Sequence, residues 1–407
     1  MGCVLNLRRP QCERVWHDEQ QCGQQQQCGP PVLMEKRERV QYMLYAWKAV
    51  HHHQKSTHPF RKDKMTNNEI ITDFDCLYKA FKRSRKNRSY KKSALYFSLN
   101  AIENLKKLQK ELLNRTYKVS GYVSFEVLYP KKRMIEACTF QDKVVQHVLC
   151  DNILKKKLPE ICIKDNYGGQ EGKGTGMAKK RIRENIQQYV TEHGETGWFY
   201  SGDIRKYYYN IDHDIAKDIM DYYYGEDIHW ILDRFIDSTE GVGIPLGNQI
   251  NTIVSCLYLD TLDKFITGEL GIKYYARYAD NFYLIHPDKE YLRDCTTCIE
   301  EFLRTLKLEL NPKSQLIKLS TGISFVGFHF YPDGRITLDN GKKRAYKRKF
   351  NKLCKKVSKG KMDLKTLGKS YHSWKTHASF ATDISFNYFE ERLNQLRKKE
   401  KHGKLLH

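Results

Sequence analysis

The sequence predicts an α+β fold with acidic residues at the ends of its strands. Apolar residues recur at three- and four-residue steps in several long segments, which is typical of amphipathic helices. Shorter runs rich in Tyr, Phe and Ile are typical of strands, and two of them are separated only by an acidic tip at Asp280, as in a β-hairpin. Helices and a hairpin in one chain favour the α+β class.

The first half of the chain is predicted to be mainly helical. Residues 94–113 give the strongest pattern, because five apolar residues recur there at helical spacing: Leu95, Leu99, Ile102, Leu105 and Leu108. Residues 122–128 alternate as a strand, and the glycines of residues 168–176 mark a loop. Further helices are predicted at residues 42–50, 73–82 and 144–154.

The second half combines strands with helices. An apolar strand over residues 198–204 contains Asp203 near its end, and helices are predicted from His213 and after the turn GVGIPLGNQ. The hairpin follows at residues 273–279 and 281–286, then a helix over residues 289–306. A strand pair over residues 323–338 is predicted to turn at Asp333-Gly334.

Size and charge limit the classes of protein. A chain of 407 residues is long for one hydrophobic core, so two or three lobes are expected. The net charge of +23 favours a polyanionic partner, with nucleic acid first and an anionic membrane surface second. Residues 342–407 hold 20 Lys or Arg against five acidic residues, with aromatic residues interleaved, which favours a helical lobe that faces nucleic acid. A solvated helix face is the alternative for any single basic residue there.

The sequence shows neither a membrane-spanning segment nor a signal peptide, so a soluble, cytoplasmic protein is expected. No segment joins a wide apolar stripe to a basic face, which counts against a membrane-surface protein. Residues 1–34 form a Gln- and Cys-rich tail of low complexity. The cysteines are interpreted as thiols, with Cys150, Cys256 and Cys354 inside apolar segments and the pair Cys295 and Cys298 unsupported as a metal site.

Two acidic segments suggest metal-dependent chemistry. Phosphoryl transfer to a hydroxyl can use two divalent ions about 3.5–4 Å apart, bridged by carboxylates from separate strands. SGDIRKYYYNIDH supplies Asp203 at the end of a strand, and YARYADNFYLIH supplies Asp280 at a hairpin tip. Taken singly, each Asp is also compatible with an ordinary turn or cap.

These segments resemble the palm motifs of reverse transcriptases, in matching order and spacing from about residue 70 to residue 380. The resemblance implies a right-hand polymerase fold with fingers, palm and thumb. It implies metal ligation by Asp203, Asp280 and the backbone of Ile204, with Asn281 beside them in a catalytic position. It also implies that Tyr208 is an aromatic gate against a ribose 2′-OH, although a core tyrosine is the alternative.

Further motifs resemble the same family. GIPLGNQIN resembles the nucleotide loop, VSFEVLYPKKRMIEACTFQDKVVQHVL the fingers strand and its helix, and LNPKSQLIKL the lysine motif that follows the catalytic hairpin. The nucleotide-binding residues that they imply are Gly247, Asn248, Gln249, Lys131, Arg133 and Lys313. SFVGFHF resembles the primer grip, with Phe325, Gly327 and Phe328. DNYGGQEGKGTGMA resembles the family's Gly-Lys-Gly-Thr segment, and SYHSWKTHASF the thumb helix.

The resemblance implies an RNA-directed DNA polymerase with two Mg²⁺ ions, Mn²⁺ being possible, that uses an RNA template, a DNA primer and dNTPs. The expected regions are residues 35–197 for the N-terminal helices and fingers, 198–341 for the palm and 342–407 for the thumb. The chain ends after the thumb, which fits a small stand-alone bacterial enzyme that copies a cognate noncoding RNA, in some cases for antiviral defence. A homo-oligomer is left open.

One position departs from the family pattern. The hairpin tip of the family usually reads Tyr-x-Asp-Asp, whereas this chain has Asn281 in the last place. An Asn still offers an oxygen, so polymerisation with a lower metal affinity is expected. The alternative is a catalytically weakened polymerase fold that acts as an RNA-binding module.

Overall fold

A computed structural model describes residues 65–128 and 132–404, apart from the side chains of residues 401–404. All of the described residues belong to one compact unit. The predicted tail, the predicted helix at residues 42–50 and Lys131 lie outside the described residues. The fold is α+β with antiparallel sheets, as predicted.

Four helices begin the described chain: α1 (Asn67–Thr72), α2 (Phe74–Arg85), α3 (Lys92–Leu99) and α4 (Ala101–Leu113). Thr66 and Glu69 form a capping box at the start of α1, and the Asp73 side chain caps α2. The single helix predicted over residues 94–113 is wrong, because the backbone leaves the helical conformation at Asn100, at φ −122° and ψ 45°. The break turns three of the five predicted apolar residues outward (Leu95, Leu99, Ile102), and only Leu105 and Leu108 are buried.

A two-stranded antiparallel sheet follows, formed by β1 (Tyr122–Val127) and β2 (Arg133–Cys138). Helix α5 (Phe140–Leu149) starts at Thr139, whose side chain accepts a hydrogen bond from the Asp142 backbone, and continues through a π-helical turn at Cys150–Leu154. The next helices are α6 (Lys155–Ile161) and α7 (Thr175–His193), and the sequence patterns predicted neither of them.

The central sheet has the strand order β4-β5-β3-β6 and is antiparallel throughout. Its strands are β3 (Trp198–Asp203), β4 (Tyr274–Tyr278), β5 (Asn281–His286) and β6 (Gln315–Lys318). The helices of this region are α8 (His213–Tyr224), α9 (His229–Ile236), α10 (Gln249–Tyr258), α11 (Asp260–Lys264) and α12 (Lys289–Thr305). The predicted strand 198–204, hairpin and helix 289–306 are confirmed to within a residue or two at their ends.

A third antiparallel sheet joins β7 (Ile323–Phe325), β8 (Phe328–Phe330) and β9 (Ile336–Leu338). The predicted strand pair is therefore a three-stranded sheet with an additional turn at Val326-Gly327. Both of these residues have positive φ, 42° and 88°. A valine rarely adopts this conformation, so its presence hid the turn from sequence analysis.

The C-terminal region consists of α13 (Asn340–Ser358), α14 (Leu364–Ala378) and α15 (Asn387–Lys404). Its aromatic residues pack between the helices: Tyr346, Phe350 and Tyr371 are buried, and the rings of Tyr346 and Trp374 stack 4.0 Å apart. These aromatic residues form the apolar interior that three basic helices need, and the expectation that the region faces nucleic acid stays a prediction.

The expected thiols Cys150, Cys256 and Cys354 are buried, as predicted. Among the helices of the described chain, none has the length and apolar character that crossing a membrane requires.

Candidate active site

Asp203 is the last residue of β3 and lies opposite Asn281, the first residue of β5. The glycine before it is required by packing. A Cβ atom on Gly202 would lie 2.2 Å from the ring of Phe282, the residue paired with it across the sheet. The aromatic ring of Phe282 thus covers the backbone of β3 immediately before Asp203, and this contact explains the glycine at position 202.

Asp280 lies in the tight turn between β4 and β5. Ala279, which precedes it, has φ 55°, a left-handed conformation that non-glycine residues seldom adopt. The backbone N–H of Ile204 donates to the carbonyl oxygen of Asp280 over 3.2 Å. Together with the pairing of Asp203 and Asn281, this bond brings two segments about 75 residues apart in sequence to one edge of the sheet.

Asn281 is exposed, and its side chain interacts with Asp280. Its Nδ2 donates a hydrogen bond to Oδ1 of Asp280 over 3.0 Å. One carboxylate oxygen of Asp280 is therefore engaged by its neighbour. A second aspartate at this position could not donate such a bond in its ionised form.

Asp203 is held from the other side by the segment that leads into β6. Asn311 donates from Nδ2 to Oδ2 of Asp203 over 2.8 Å, and its backbone N–H donates to the Asp203 carbonyl oxygen over 2.7 Å. The hydroxyl of Ser314 accepts from the Asp203 backbone N–H over 3.1 Å. These bonds fix both the backbone and the carboxylate of Asp203.

A buried arginine on β4, Arg277, links the hairpin to the helices that pack against it. Its guanidinium makes two bonds to the carboxylate of Asp263, over 2.6 and 2.7 Å, and both side chains are fully buried. It also donates to the carbonyl oxygens of Ala279, in the turn, and Cys256, on α10. Burial alone would lower the pKa of Arg277, but the Asp263 carboxylate offsets this and holds the pKa above its ordinary value.

The segment before α7 lies along the same hairpin. The N–H of Tyr167 donates to the Arg277 carbonyl oxygen over 2.8 Å, and the N–H of Arg277 donates to Asp165 over 3.0 Å. A Cβ atom on Gly168 would lie 2.9 Å from the backbone nitrogen of Ala279. The glycine is therefore needed for the close approach to the turn. This contact gives the DNYGG sequence a role in packing.

The family model of reverse transcriptases (RNA-dependent DNA polymerases) matches residues 128–330, a range that contains both aspartates and their supporting strands. The chain contains a reverse transcriptase domain. This domain is of the RNA-directed DNA polymerase type, a class of nucleotidyltransferase.

Two solved telomerase structures are similar to the chain. An apo telomerase from Candida tropicalis, truncated from its C-terminal domain, shares 14% identity at a TM-score of 0.42, and the match covers 59% of this chain and 60% of that one. A telomerase from Candida albicans in complex with a telomeric RNA fragment shares 12% identity at a TM-score of 0.41, covering 61% and 50%. The chain therefore spans only half to three fifths of these telomerase chains. A search of curated proteins by sequence gave no match.

Within the reverse transcriptase domain, Tyr208 lies in the short helical turn Tyr207–Tyr209 after β3. Its hydroxyl accepts a hydrogen bond from Ser255 on α10 over 3.0 Å. Burial raises the pKa of the Tyr208 phenol, and the charge of Asp280 raises it further. The phenol thus stays neutral at physiological pH and lies within the electrostatic influence of the hairpin tip.

The predicted nucleotide loop docks on β2. The N–H of Glu136 donates to the carbonyl oxygen of Leu246 over 3.0 Å. Gly247 has φ 119°, and a Cβ atom at this position would lie only 3.1 Å from the side chain of Ile135. Gly247 is exposed, whereas Asn248 is buried.

Two other predicted nucleotide-binding residues are Gln249, at the end of this loop, and Arg133, on β2. Gln249 is half-buried, and its backbone N–H donates to the side chain of Gln146 over 2.9 Å. Arg133 is exposed at the start of β2. The sheet β1–β2 and the loop thus form one packed unit that carries Arg133, Gly247 and Gln249.

Lys313 is exposed in the turn that positions Asn311 against Asp203, since its backbone N–H donates to Oδ1 of Asn311 over 3.1 Å. The predicted primer-grip residues Phe325 and Phe328 pair across the Val326-Gly327 turn, and both side chains are buried. A groove of about 680 Å³ runs along this turn and reaches Asn281 and Lys342. The hairpin tip and the turn therefore line the same groove.

The donor atoms at the tip suit a hard divalent cation. Within the described chain, His, Cys, Asp and Glu form no group of three or more that could hold a metal. The candidate set is two carboxylates, Asp203 and Asp280, together with backbone and amide oxygens. Mg²⁺ is commonly bound by one or two carboxylates, with substrate phosphates and water completing its shell, so the residues present fit this ion.

Sequence analysis missed three supporting residues, Asn311, Arg277 and Asp263. Asn311 lies within the motif LNPKSQLIKL, in which only Lys313 was assigned a role. Arg277 lies within YARYADN, where a charged residue in an apolar strand was a signal for a buried ion pair. Its partner, Asp263, carries no local signal because the contact depends on the fold.

Proposed function

We propose that the reverse transcriptase domain extends a DNA primer on an RNA template by two-metal nucleotidyl transfer, with Asp203 and Asp280 as the metal-binding carboxylates. The observation that carries the proposal is the meeting of these two strand-end aspartates at one sheet edge, within a domain of the RNA-directed DNA polymerase family. Each lies in a segment fixed by side-chain hydrogen bonds, from Asn311 and Arg277 respectively.

The divalent ions, when bound, would lower the pKa of the primer 3′-hydroxyl and neutralise charge on the leaving pyrophosphate. The residues of the chain orient the reactants. Asp203 and Asp280 would hold the ions, and the Ile204 carbonyl would add a further oxygen ligand. Arg133 and Lys313 are exposed cations suited to the triphosphate, because a guanidinium binds phosphate oxygens bidentately. Lys131 is proposed for the same role.

The groove beside the tip supports a position for the primer end. It reaches from Asn281 to the Val326-Gly327 turn and to Lys342 at the start of α13. The three basic C-terminal helices would then follow the template and primer duplex as a thumb, because their excess of positive charge matches two phosphate backbones. We place this activity in the cytoplasm, on a cognate noncoding RNA, with a role in antiviral defence as one biological setting.

A second candidate function has an observation in its favour. Asn281 replaces a carboxylate and donates a hydrogen bond to Asp280, which reduces the negative charge available to metal at the tip. A domain weakened in this way could bind RNA without copying it. The basic C-terminal region would suffice for that function.

Primer extension distinguishes the two functions. The assay uses the full chain, an RNA template with an annealed DNA primer, dNTPs and either Mg²⁺ or Mn²⁺. We expect incorporation by the native protein and a loss of at least about a thousandfold in Asp203→Asn, since removing a bridging carboxylate removes most of the metal contribution.

The matched control is Asp214→Asn, which removes the same charge from an exposed side chain of α8 and should leave extension unchanged. Thermal unfolding of both variants shows that the fold is retained. Tight RNA binding by the native protein without incorporation with either ion would favour the binding module. Equal extension by Asp203→Asn and the native protein would contradict the assignment of the site.

A further inference from the structure

A second strongly basic surface lies far from the C-terminal region in sequence. Residues 82–92, here called the basic turn, join α2 to α3 and contain seven Lys or Arg residues and no Asp or Glu. Every residue of the turn except Ser84 is exposed. The basic residues are Lys82, Arg83, Arg85, Lys86, Arg88, Lys91 and Lys92.

The basic turn has a defined backbone. The N–H of Arg88 donates to the Arg85 carbonyl oxygen over 2.9 Å, and the N–H of Lys91 donates to Arg88 over 3.0 Å. Asn87 adopts a left-handed conformation at φ 60°, which asparagine tolerates better than most residues. The charged side chains are therefore presented from a fixed turn, which reduces the conformational entropy lost on binding a ligand.

The charges of the turn are almost uncompensated within the described chain. Arg83 pairs with Asp151 over 3.2 Å, and no salt bridge to the other six basic residues is found among the described residues. Their field reaches a neighbouring helix. Burial lowers the pKa of Lys143 on α5, and the charges of Arg88 and Lys91 lower it further. The surface thus repels cations and attracts anions.

Exposed aromatic and apolar side chains lie beside the charges. Tyr90 in the turn is 79% exposed and Tyr96 on α3 is 67% exposed, and Leu95 and Leu99 are exposed next to it in the same helix. Leu95 and Leu99 are two of the apolar residues that the break at Asn100 leaves exposed. Exposed rings beside phosphate-binding cations are the combination by which proteins bind single-stranded nucleic acid, because rings stack on bases and cations neutralise the backbone.

We propose that the basic turn and the exposed face of α3 form an RNA-binding surface additional to the template and primer groove. The partner is an RNA with unpaired bases, recognised by its phosphates and by stacking on Tyr90 and Tyr96. The proposal rests on the proposed function only in its choice of RNA over DNA. Binding at the turn requires neither metal nor catalysis, so it can be tested independently of polymerisation.

The test measures binding of the full chain to fluorescein-labelled poly(U) RNA over a series of salt concentrations, without divalent metal or dNTPs. The turn variant combines Arg85→Ala, Arg88→Ala and Lys91→Ala. Because each lost contact to a single-strand phosphate changes the slope of log K against log salt by about 0.7, we expect a slope less negative by about 2. Tyr90→Ala should weaken binding about tenfold through the loss of one stacked base.

The control variant combines Lys106→Ala, Lys107→Ala and Lys110→Ala, which removes the same charge from the exposed face of α4. It should leave the slope within about 0.5 of the native value, since non-contacting charges act only through a screened field. Equal losses in the turn and control variants would overturn the proposal. Unchanged poly(U) binding by the turn variant would also overturn it. If the turn variant in addition lost binding to phosphatidylserine vesicles, the basic turn would be a membrane-binding surface instead. The Asp203→Asn variant should bind poly(U) as the native protein does.

Discussion

The carboxylate of Asp280 accepts a hydrogen bond from the side-chain amide of Asn281. We expect this bond to lower the affinity of the site for a divalent metal ion. The amide provides an oxygen donor but no negative charge. Electrostatic attraction to a divalent ion is therefore weaker than at a tip with two carboxylates. We therefore expect a higher requirement for metal rather than a different reaction.

Asn281→Asp should lower the Mg²⁺ concentration for half-maximal incorporation by roughly tenfold, which corresponds to about 1.4 kcal/mol of metal binding. A Mg²⁺ titration of primer extension measures it. Asn100→Asp adds the same charge to the break between α3 and α4 and should leave the titration unchanged. If Asn281→Asp instead needs a higher Mg²⁺ concentration for half-maximal incorporation, the missing negative charge at position 281 does not limit metal binding.

Tyr208 makes a second prediction at the scale of one residue. If its ring blocks a ribose 2′-OH, Tyr208→Ala should raise the incorporation of ribonucleotides relative to deoxyribonucleotides by at least about tenfold, the usual effect of about 1.4 kcal/mol of discrimination. Competition between the two nucleotide types in primer extension measures the ratio. Tyr208→Phe keeps the ring, removes the hydroxyl that accepts the bond from Ser255, and should preserve discrimination. An unchanged ratio in Tyr208→Ala would show that the ring is not the gate.

At the scale of elements, the β4–β5 hairpin depends on a buried ion pair that links it to two helices. Arg277 bonds to the turn at Ala279, to α10 at Cys256 and to Asp263 of α11. Tyr275 donates to the same carboxylate over 2.6 Å. A buried pair of this kind is a weak contributor to net stability compared with apolar packing, but it fixes geometry through its directed bonds. We interpret it as the device that holds the turn in its left-handed conformation.

Arg277→Met should lower the free energy of unfolding by about 3–5 kcal/mol, because it leaves the Asp263 charge buried and unpaired. The triple variant Arg277→Met, Asp263→Leu and Tyr275→Phe removes both charges and the hydroxyl that bonds to them, and should regain much of this stability. The carbonyl oxygens of Ala279 and Cys256 still lose the arginine as a donor. Incorporation by the triple variant should remain at least about tenfold below native, because the bond to Ala279 is absent. Urea unfolding and primer extension measure the two effects separately. Native incorporation by a stable triple variant would show that the turn does not need the arginine.

The elements that sequence analysis predicted well are those with a strong local pattern. The strand ending at Asp203 and the hairpin at Asp280 are bounded by residues whose chemistry marks the ends. The helix over residues 94–113 was predicted as one because its apolar spacing continues through Asn100, and periodicity carries no information about a local change of backbone angle. The turn at Val326 was missed for a similar reason, since its positive φ is imposed by the surrounding sheet.

At the scale of the molecule, the candidate site joins segments that are distant in sequence. The two aspartates could be predicted because each lies in a recognisable motif. The contacts of Arg277 with Asp263 and of Asp203 with Asn311 could not, because they depend on how helices and strands pack, and no local pattern encodes a partner 14 or 108 residues away. The aromatic residues of the C-terminal helices illustrate the same limit, since their spacing fits a helix core and a nucleic-acid face equally well.

We propose that the segments around Asp203 and Asp280 bind divalent metal together. Fe²⁺ in place of Mg²⁺, with ascorbate and peroxide, generates hydroxyl radicals that cut the backbone close to the bound ion. We predict two cuts, near residues 203 and 280, that excess Mg²⁺ suppresses and that disappear in the double variant Asp203→Asn, Asp280→Asn. Cuts elsewhere that Mg²⁺ suppresses, or cuts at both segments that persist in the double variant, would show that these two aspartates do not form the metal site.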